Sequence, residues 1–391
     1  MVFDETYRSV LEEKVFQEAR ELKRAGMKVF GVYCSFTPKE LITAAGAIPV
    51  SLCAGSEKPM ERAEQHLPRT LCPLIKSSYG HALSDTCPYF HSADYLLADA
   101  TCDGKKKMFE LLGRIKPVHV LNLPQTSAGG ASLDYWVKEL QALVRLLESV
   151  TGNVITEERL ASEIALHNAF RAKKKEVYEL NTGDVPLVTG REIDAITWPT
   201  MFNCNLAERI REMDEAIAAI RSRGHDESFL VGMRRRPRIL LTGCPITNKK
   251  LLDVIEECGA VVVAQENCGG LKTLTHPVPA GGKPLHALAK CYLEIPCSCM
   301  TPNASRLDLI EDIIDRYHID GVVDLTWEAC HTYNVEAFLV REHVQERCRT
   351  PYIQIRTDYS ENDREQLRTR IGAFLEMMDP ARERMPAQAC Q

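Results

Sequence analysis

The chain has 391 residues, 45% of them hydrophobic, and a formal net charge of −6 with its 48 Lys and Arg residues spread throughout. That length is enough for two or three packed domains, and the lack of a basic stripe interleaved with aromatics argues against a nucleic-acid partner. No apolar run approaches a membrane span and the first 25 residues are charged without an apolar signal core, so a soluble, cytoplasmic protein with no membrane partner is expected.

In chain order, residues 1–25 have a helical period and are expected to form an N-terminal helix. Strand-like runs follow at KVFGVY (28–33), IPVSLC (48–53), DYLLADAT (94–101) and PVHVLNLP (117–124), with helical stretches between them, which makes 26–130 a first α/β domain. Helical period dominates 131–235, broken by NTGDVPLVTGRE. Further strands at RILLTG (238–243), AVVVAQE (260–266), GVVDLT (321–326) and PYIQIRTD (351–358), with a last helix near 362–378, make 236–391 a second α/β domain. Alternating strands and helices imply parallel sheets covered on both faces.

The two α/β units share a plan. In each, the first strand runs into a cysteine and a helix (Cys34, Cys244), and the second ends at a cysteine (Cys53, Cys268). The long connection that follows carries Cys72 in one unit and Cys297 with Cys299 in the other, and the third strand ends near Cys102 or Cys330. In topology this reads as the duplication of a four-stranded unit.

Fifteen cysteines is the outlying number. An odd count in a long chain lacking a signal peptide argues against a disulfide framework. Buried free thiols are common, but these fall where parallel sheets bind ligands, beyond the carboxyl ends of their strands. Helices that start there aim N–H groups and a positive dipole end at the site, which stabilises a thiolate, the form that binds metal. Zinc knuckles need paired cysteines, yet no C-x-x-C occurs, and a linear ferredoxin run is absent as well. An anionic cluster of iron and sulfide suits the setting. Cys204, Cys258, Cys291, Cys348 and Cys390 sit in helical stretches or the tail and are assigned no role, while Cys53 and Cys87 read as structural more than ligating. There is no phosphate loop of the G-x-x-x-x-G-K-S/T type, no G-x-G-x-x-G after a strand and no G-x-S-x-G elbow. Electrons for redox work are therefore expected from a partner.

The segments GVYCSFTPKELITAAGAIPVSLC, LPRTLCPLIKSSYG, TCDGKKKMFELL, LTGCPI, ENCGG, IPCSCMTPN and GVVDLTWEACHTYNVEAF together resemble the 2-hydroxyacyl-CoA dehydratase component D family, in order and over nearly the whole chain. Within it they resemble the double-cubane cluster protein branch more closely. The resemblance implies two flavodoxin-like domains with a helical segment between them. It implies a 4Fe-4S cluster at positions matching Cys72, Cys102 and Cys330, as in the dehydratases. The closer resemblance implies a double-cubane 8Fe-9S cluster held by about six thiolates, and Cys34, Cys268 and Cys297 are the choices for the second cubane, with Cys244 and Cys299 as close alternates. It further implies an ATP-hydrolysing iron-sulfur reductase as electron donor, a small-molecule substrate, an anaerobic setting and a homodimer. The expected activity is that of a reductase. A 4Fe-4S dehydratase subunit acting on a 2-hydroxyacyl-CoA by a ketyl radical is the alternative, and a non-catalytic electron carrier the third reading. His331, beside Cys330, and the carboxylates Glu40 and Glu266 are candidate proton donors. Lys105, Lys106 and Lys107 are candidates for balancing cluster charge or guiding an acidic partner, against a solvated helix face.

Overall fold

The computed structural model describes residues 2–52, 54–199 and 205–378; Cys53, Cys204 and Cys390 lie outside the described residues. The first unit contains α1 (Glu5–Arg24), β1 (Val29–Tyr33), α2 (Lys39–Ala44), β2 (Ile48–Ser51), α3 (Met60–Ala63) and α4 (Pro73–Ser84). It continues through α5 (Pro88–Ser92), β3 (Tyr95–Asp99), α6 (Asp103–Leu112) and β4 (Val118–Leu121). Five helices follow: α7 (Gly130–Thr151), α8 (Glu157–Glu179), α9 (Gly190–Thr197), α10 (Leu206–Arg223) and α11 (Glu227–Arg234). The second unit holds β5 (Arg238–Gly243), α12 (Lys250–Glu257), β6 (Val261–Glu266), α13 (Pro284–Leu293) and α14 (Ala304–Arg316). It closes with β7 (Gly321–Trp327), α15 (His331–Glu342), β8 (Tyr352–Thr357) and α16 (Arg364–Met378).

All eight strands fall inside the segments expected from the sequence or overrun them by one residue, as β7 does at Trp327. The reason is burial. β1, β5, β6 and β7 are buried along their whole length, so they read as continuous apolar runs, as strands of covered parallel sheets do. The two sheets have strand orders β2-β1-β3-β4 and β6-β5-β7-β8, and every pairing is parallel. The two units are thus the same flavodoxin-like arrangement. In each, the strand order reverses beside the first strand, and the crevice at such a switch point is where ligands bind.

The intervening helices are shared between the two sheets. Trp136, Leu140 and Leu143 of α7 pack with Phe30 and Leu97 of the first sheet. Ile193 of α9 and Ile217 of α10 pack with Leu240 and Val261 of the second. A third core runs across both units, from Tyr33 and Cys72 to Cys244 and Trp327. Among the described residues no helix is long and apolar enough to cross a membrane.

The seam between the units is polar and close. The Tyr359 hydroxyl donates to the Ala54 carbonyl at 3.2 Å, and Asn248 Nδ2 donates to the Gly55 carbonyl at 3.1 Å. A Cβ on Gly55 would lie 1.9 Å from the Thr247 carbonyl oxygen, so only glycine permits this approach. Gly55→Ala is expected to cost about 1–3 kcal/mol through overpacking, read as a lower melting temperature. An unchanged melt would mean that the seam is looser than the geometry states.

Candidate metal centre

The thiols stand at strand ends because of specific backbone devices. Cys34 follows β1 with φ of +93°, in the left-handed region. The loop after it is pinned by buried Asp99, which accepts the Phe36 and Thr37 N–H groups at 3.1 and 3.2 Å and the Thr37 hydroxyl at 2.7 Å. Holding a non-glycine residue in that region costs about 1–3 kcal/mol, and such strain gathers at functional sites. Gly243, with φ of +103°, lies so near β7 that a Cβ would meet the Leu325 carbonyl oxygen at 2.2 Å. That turn places Cys244 against β7, where its N–H donates to Leu325 at 2.8 Å. Cys72, Cys102 and Cys330 are the N-caps of α4, α6 and α15.

Two groups of thiols result. In one, Cys330 lies beside the Cys244 and Cys72 thiols, whose interaction lowers its pKa to about 3 against its burial. The Cys72 thiol is pushed up by Cys330 and then by burial, and the Cys244 thiol by burial and then by Cys330. In the other, the Cys299 thiol donates to Cys297, and with help from Lys272 and Arg306 this lowers Cys297 to about 5 against its burial. Cys34 and Cys268 complete this second group: burial raises the Cys34 thiol, and the charges of Cys268 and Cys297 add to the shift.

The two groups adjoin through α15, and the second opens on a cleft lined by Cys34 and Cys268. Tyr333, in the first turn of α15 after Cys330, is raised by burial and by the charges of Cys297 and Cys268. The turn carrying Cys102 also reaches both. A Cβ on Gly104 would lie 2.9 Å from Ile75 Cδ1 on the helix that Cys72 caps, and the Lys105 charge acts on Cys34.

A buried ionic network backs the second group. Glu266 is fully buried; its carboxylate pairs with Lys272 Nζ and Arg306 Nη2, both at 3.1 Å, and accepts from the Thr242 hydroxyl at 2.5 Å. Lys272 donates to the Tyr333 hydroxyl at 2.7 Å, and Arg306 reaches Glu336 as well. Asn303 Nδ2 ties Glu336 (2.6 Å) to the Cys297 carbonyl (3.1 Å). Lys272 and Arg306 thus face two carboxylates, Glu266 and Glu336, so the network is balanced in charge while its cations lie on the side of Cys297. Two sets of sulfur donors with no nearby imidazole pair among the described residues suit sulfur-ligated iron more than a nitrogen-ligated metal.

Residues 34–378 match the family model for the 2-hydroxyglutaryl-CoA dehydratase D-component. The chain belongs to this family. It is 42% identical over 365 residues to YjiM of Escherichia coli (strain K12), whose name assigns it provisionally to the dehydratase subunits; the match covers 93% of this chain and 94% of that protein. It is 21% identical to the (R)-phenyllactyl-CoA dehydratase beta subunit of Clostridium sporogenes, over 96% of this chain and 98% of the relative. It is 22% identical to a benzoyl-CoA reductase subunit of Thauera aromatica, over 94% and 95%. Dehydratase and reductase subunits thus share this D-component architecture, and the relatives support an enzyme subunit.

In this D-component chain the candidate residues fall into distinct places. Cys72 and Cys330 are together, but the thiol that joins them is Cys244, whereas Cys102 Sγ accepts the Lys105 N–H at 3.5 Å. Cys34, Cys268 and Cys297 are together, and Cys299 joins them. Glu40 is not free to act as an acid: it is buried, paired with Arg171 at 2.7 Å, and accepts the Tyr292 hydroxyl at 2.8 Å. Burial would raise its pKa, but Arg171 and His167 hold it at about 2. Glu266 is likewise kept ionised, its burial outweighed by Arg306 and Lys272, so it positions those cations instead of donating protons. His331 opens α15 with its side chain exposed. Cys87 caps α5, accepting the Phe90 N–H at 3.4 Å, and Cys258 donates to the Arg368 carbonyl at 3.7 Å, both structural contacts. Lys106 pairs with Asp103 at 2.9 Å and Lys107 with Glu110 on the exposed face of α6, while Lys105 turns toward the cleft. Glu311, His343 and Cys348 also bring ligand atoms within 4.8 Å of one another, but Glu311 is already paired with Arg347 at 2.9 Å and His343 at 3.0 Å. The residues not foreseen, Lys272, Arg306 and Arg171, carry no local signal; they are ordinary basic residues whose burial comes only from the tertiary fold.

The Glu40 pair sets a pH dependence. The carboxylate is held below its unfolded value of 4.5, so its stabilisation is complete above that pH and is lost as pH falls towards about 2. At about 1.4 kcal/mol per unit this amounts to about 3 kcal/mol. Glu40→Gln is expected to flatten the acid limb of stability over that range. Arg171→Met, which leaves the carboxylate buried and unpaired, is expected to cost about 3–5 kcal/mol at pH 7. Chemical denaturation across pH checks both.

Proposed function

We propose that this chain is the iron-sulfur reductase component of a system in which an ATP-hydrolysing iron-sulfur partner supplies low-potential electrons for the reduction of a small molecule. The observation that carries the reading is the pair of adjoining thiol groups, Cys72–Cys244–Cys330 and Cys34–Cys268–Cys297–Cys299, joined through α15. More sulfur donors converge than a single 4Fe-4S cubane uses, which favours a double-cubane 8Fe-9S cluster, with Cys102 as a reserve ligand at the border of the two groups. In its bound form the cluster would supply storage and release of low-potential electrons. The chain's own residues meet that charge: Lys272 and Arg306 lie on the side of Cys297, and Glu266 keeps both cations in place. A cytoplasmic homodimer in an anaerobic setting belongs to the same proposal.

The second reading is a 4Fe-4S dehydratase subunit, favoured by the names of the relatives. It needs one group filled, Cys72–Cys244–Cys330, and leaves the second without metal. A non-catalytic electron carrier is the third, distinguished by metal without turnover.

Protein purified anaerobically is expected to hold about eight irons per chain, with matching sulfide. Four irons per chain at full occupancy would transfer the case to the dehydratase reading, and stoichiometric zinc without iron would end both. Cys330→Ser and Cys297→Ser should each alter the visible and paramagnetic spectra, because serine is a poor ligand for iron–sulfur clusters, whereas Cys258→Ser should not. Unchanged spectra in both ligand variants would overturn the assignment.

A further inference from the structure

A cavity beside the second thiol group has Cys34 and Cys268 on its wall and a volume of about 200 Å³. For scale, a cavity of about 150 Å³ holds benzene. The space therefore takes a small molecule or the tip of a larger one. Part of its lining is apolar, from Phe170, Leu274 and Ile295.

One charged group on this wall has no counterpart. Lys174, on α8, is only 5% exposed, and its ammonium makes no hydrogen bond or ion pair with the described residues. Buried charges are ordinarily paired, and other buried cations of this chain are. Lys250 meets Asp363 at 2.5 Å, Arg209 meets Glu18 at 3.0 Å, and Lys76 meets Glu64 at 2.9 Å. The carboxylate whose charge reaches Lys174 is Asp194, and it is already taken by Arg8 at 2.8 Å. A second donor on the same wall is also unsatisfied: Asn267, 2% exposed, has no acceptor for its Nδ2 while its Oδ1 takes the Gly269 N–H at 2.9 Å.

We propose that Lys174 is the anion-holding group of this cavity and that its ligand is a small carboxylate, the charged head held by Lys174 and the short tail lying on the apolar wall. The proposal deepens the reductase reading, on which it rests for the cavity's being the substrate site, by assigning the substrate class. A thioester or other neutral acyl group would leave Lys174 uncompensated. Burial, with the neighbouring Lys39 charge, brings the Lys174 pKa down to about 7, so without a counter-ion the amine is partly neutral near pH 7 and a carboxylate seated against it restores the ammonium.

The test uses the anaerobically purified protein with its metal content measured, propionate as probe and propionamide as its uncharged isostere. Binding is read by calorimetry and by the rise in melting temperature that a native-state ligand produces. Wild type should bind propionate and not propionamide. Lys174→Met should weaken propionate at least tenfold, with unchanged metal content and a higher melting temperature in anion-free buffer, since a buried unpaired ammonium has been replaced by an apolar chain of similar volume. Lys174→Arg should retain binding. Equal binding of propionate and propionamide, wild-type affinity in Lys174→Met, or no binding of propionate at all would each overturn the proposal. Protein with iron but without anion binding removes this inference and leaves the metal reading standing; Lys174-dependent binding in protein without iron does the reverse.

Discussion

Holding two desolvated sulfur atoms, Cys330 and Cys297, as thiolates is the constraint on which the arrangement of both thiol groups depends. A desolvated thiolate is costly unless donors or cations compensate it. The protein answers in two ways. Around Cys330 the compensation comes from the thiols of Cys72 and Cys244 at the start of a helix. Around Cys297 it comes from Cys299 together with Lys272 and Arg306. Those cations would be intolerable in a dry interior without Glu266, and Glu266 would be intolerable without them.

The ionic network also joins parts of the fold that have no strand pairing in common. Glu266 ends β6, Lys272 lies in the turn after it, Arg306 is on α14 and Tyr333 on α15. A change in charge at the thiols acts on every one of them. The network forms the back of the second thiol group. At its front, Cys34 sits in a strained left-handed conformation between the pinned Asp99 loop and the cavity. The identical strand order of the two sheets explains the geometry. Each sheet offers the carboxyl ends beside its own switch point, and the two units meet along the seam of Tyr359, Asn248 and Gly55, so two sets of strand-end cysteines come to lie near one another.

Much of this was legible in the sequence. The strands were readable because buried parallel strands are runs of apolar residues with no solvent face to interrupt them. Cysteines at strand ends were readable because the motif places them there without reference to tertiary contacts. Partner choice was not. Cys102 and Cys244 both follow a strand, and what brings Cys244 to Cys330 is the positive φ of Gly243 and its close approach to β7. Side-chain burial was equally hidden. RAKKKEVYEL shows only a helical period, yet Lys174 is buried because α8 is packed against α2, α10 and α13. Glu40 and Glu266 read as acids near the ligands, and only their buried Arg and Lys partners show that both stay ionised.

The most direct test of the paired thiol centre is anomalous diffraction at the iron absorption edge from crystals of the protein grown anaerobically. Iron peaks beside both Cys330 with Cys72 and Cys244, and Cys297 with Cys34 and Cys268, are the predicted result. Iron at one group alone, or at neither, would contradict the claim that the two thiol groups act together.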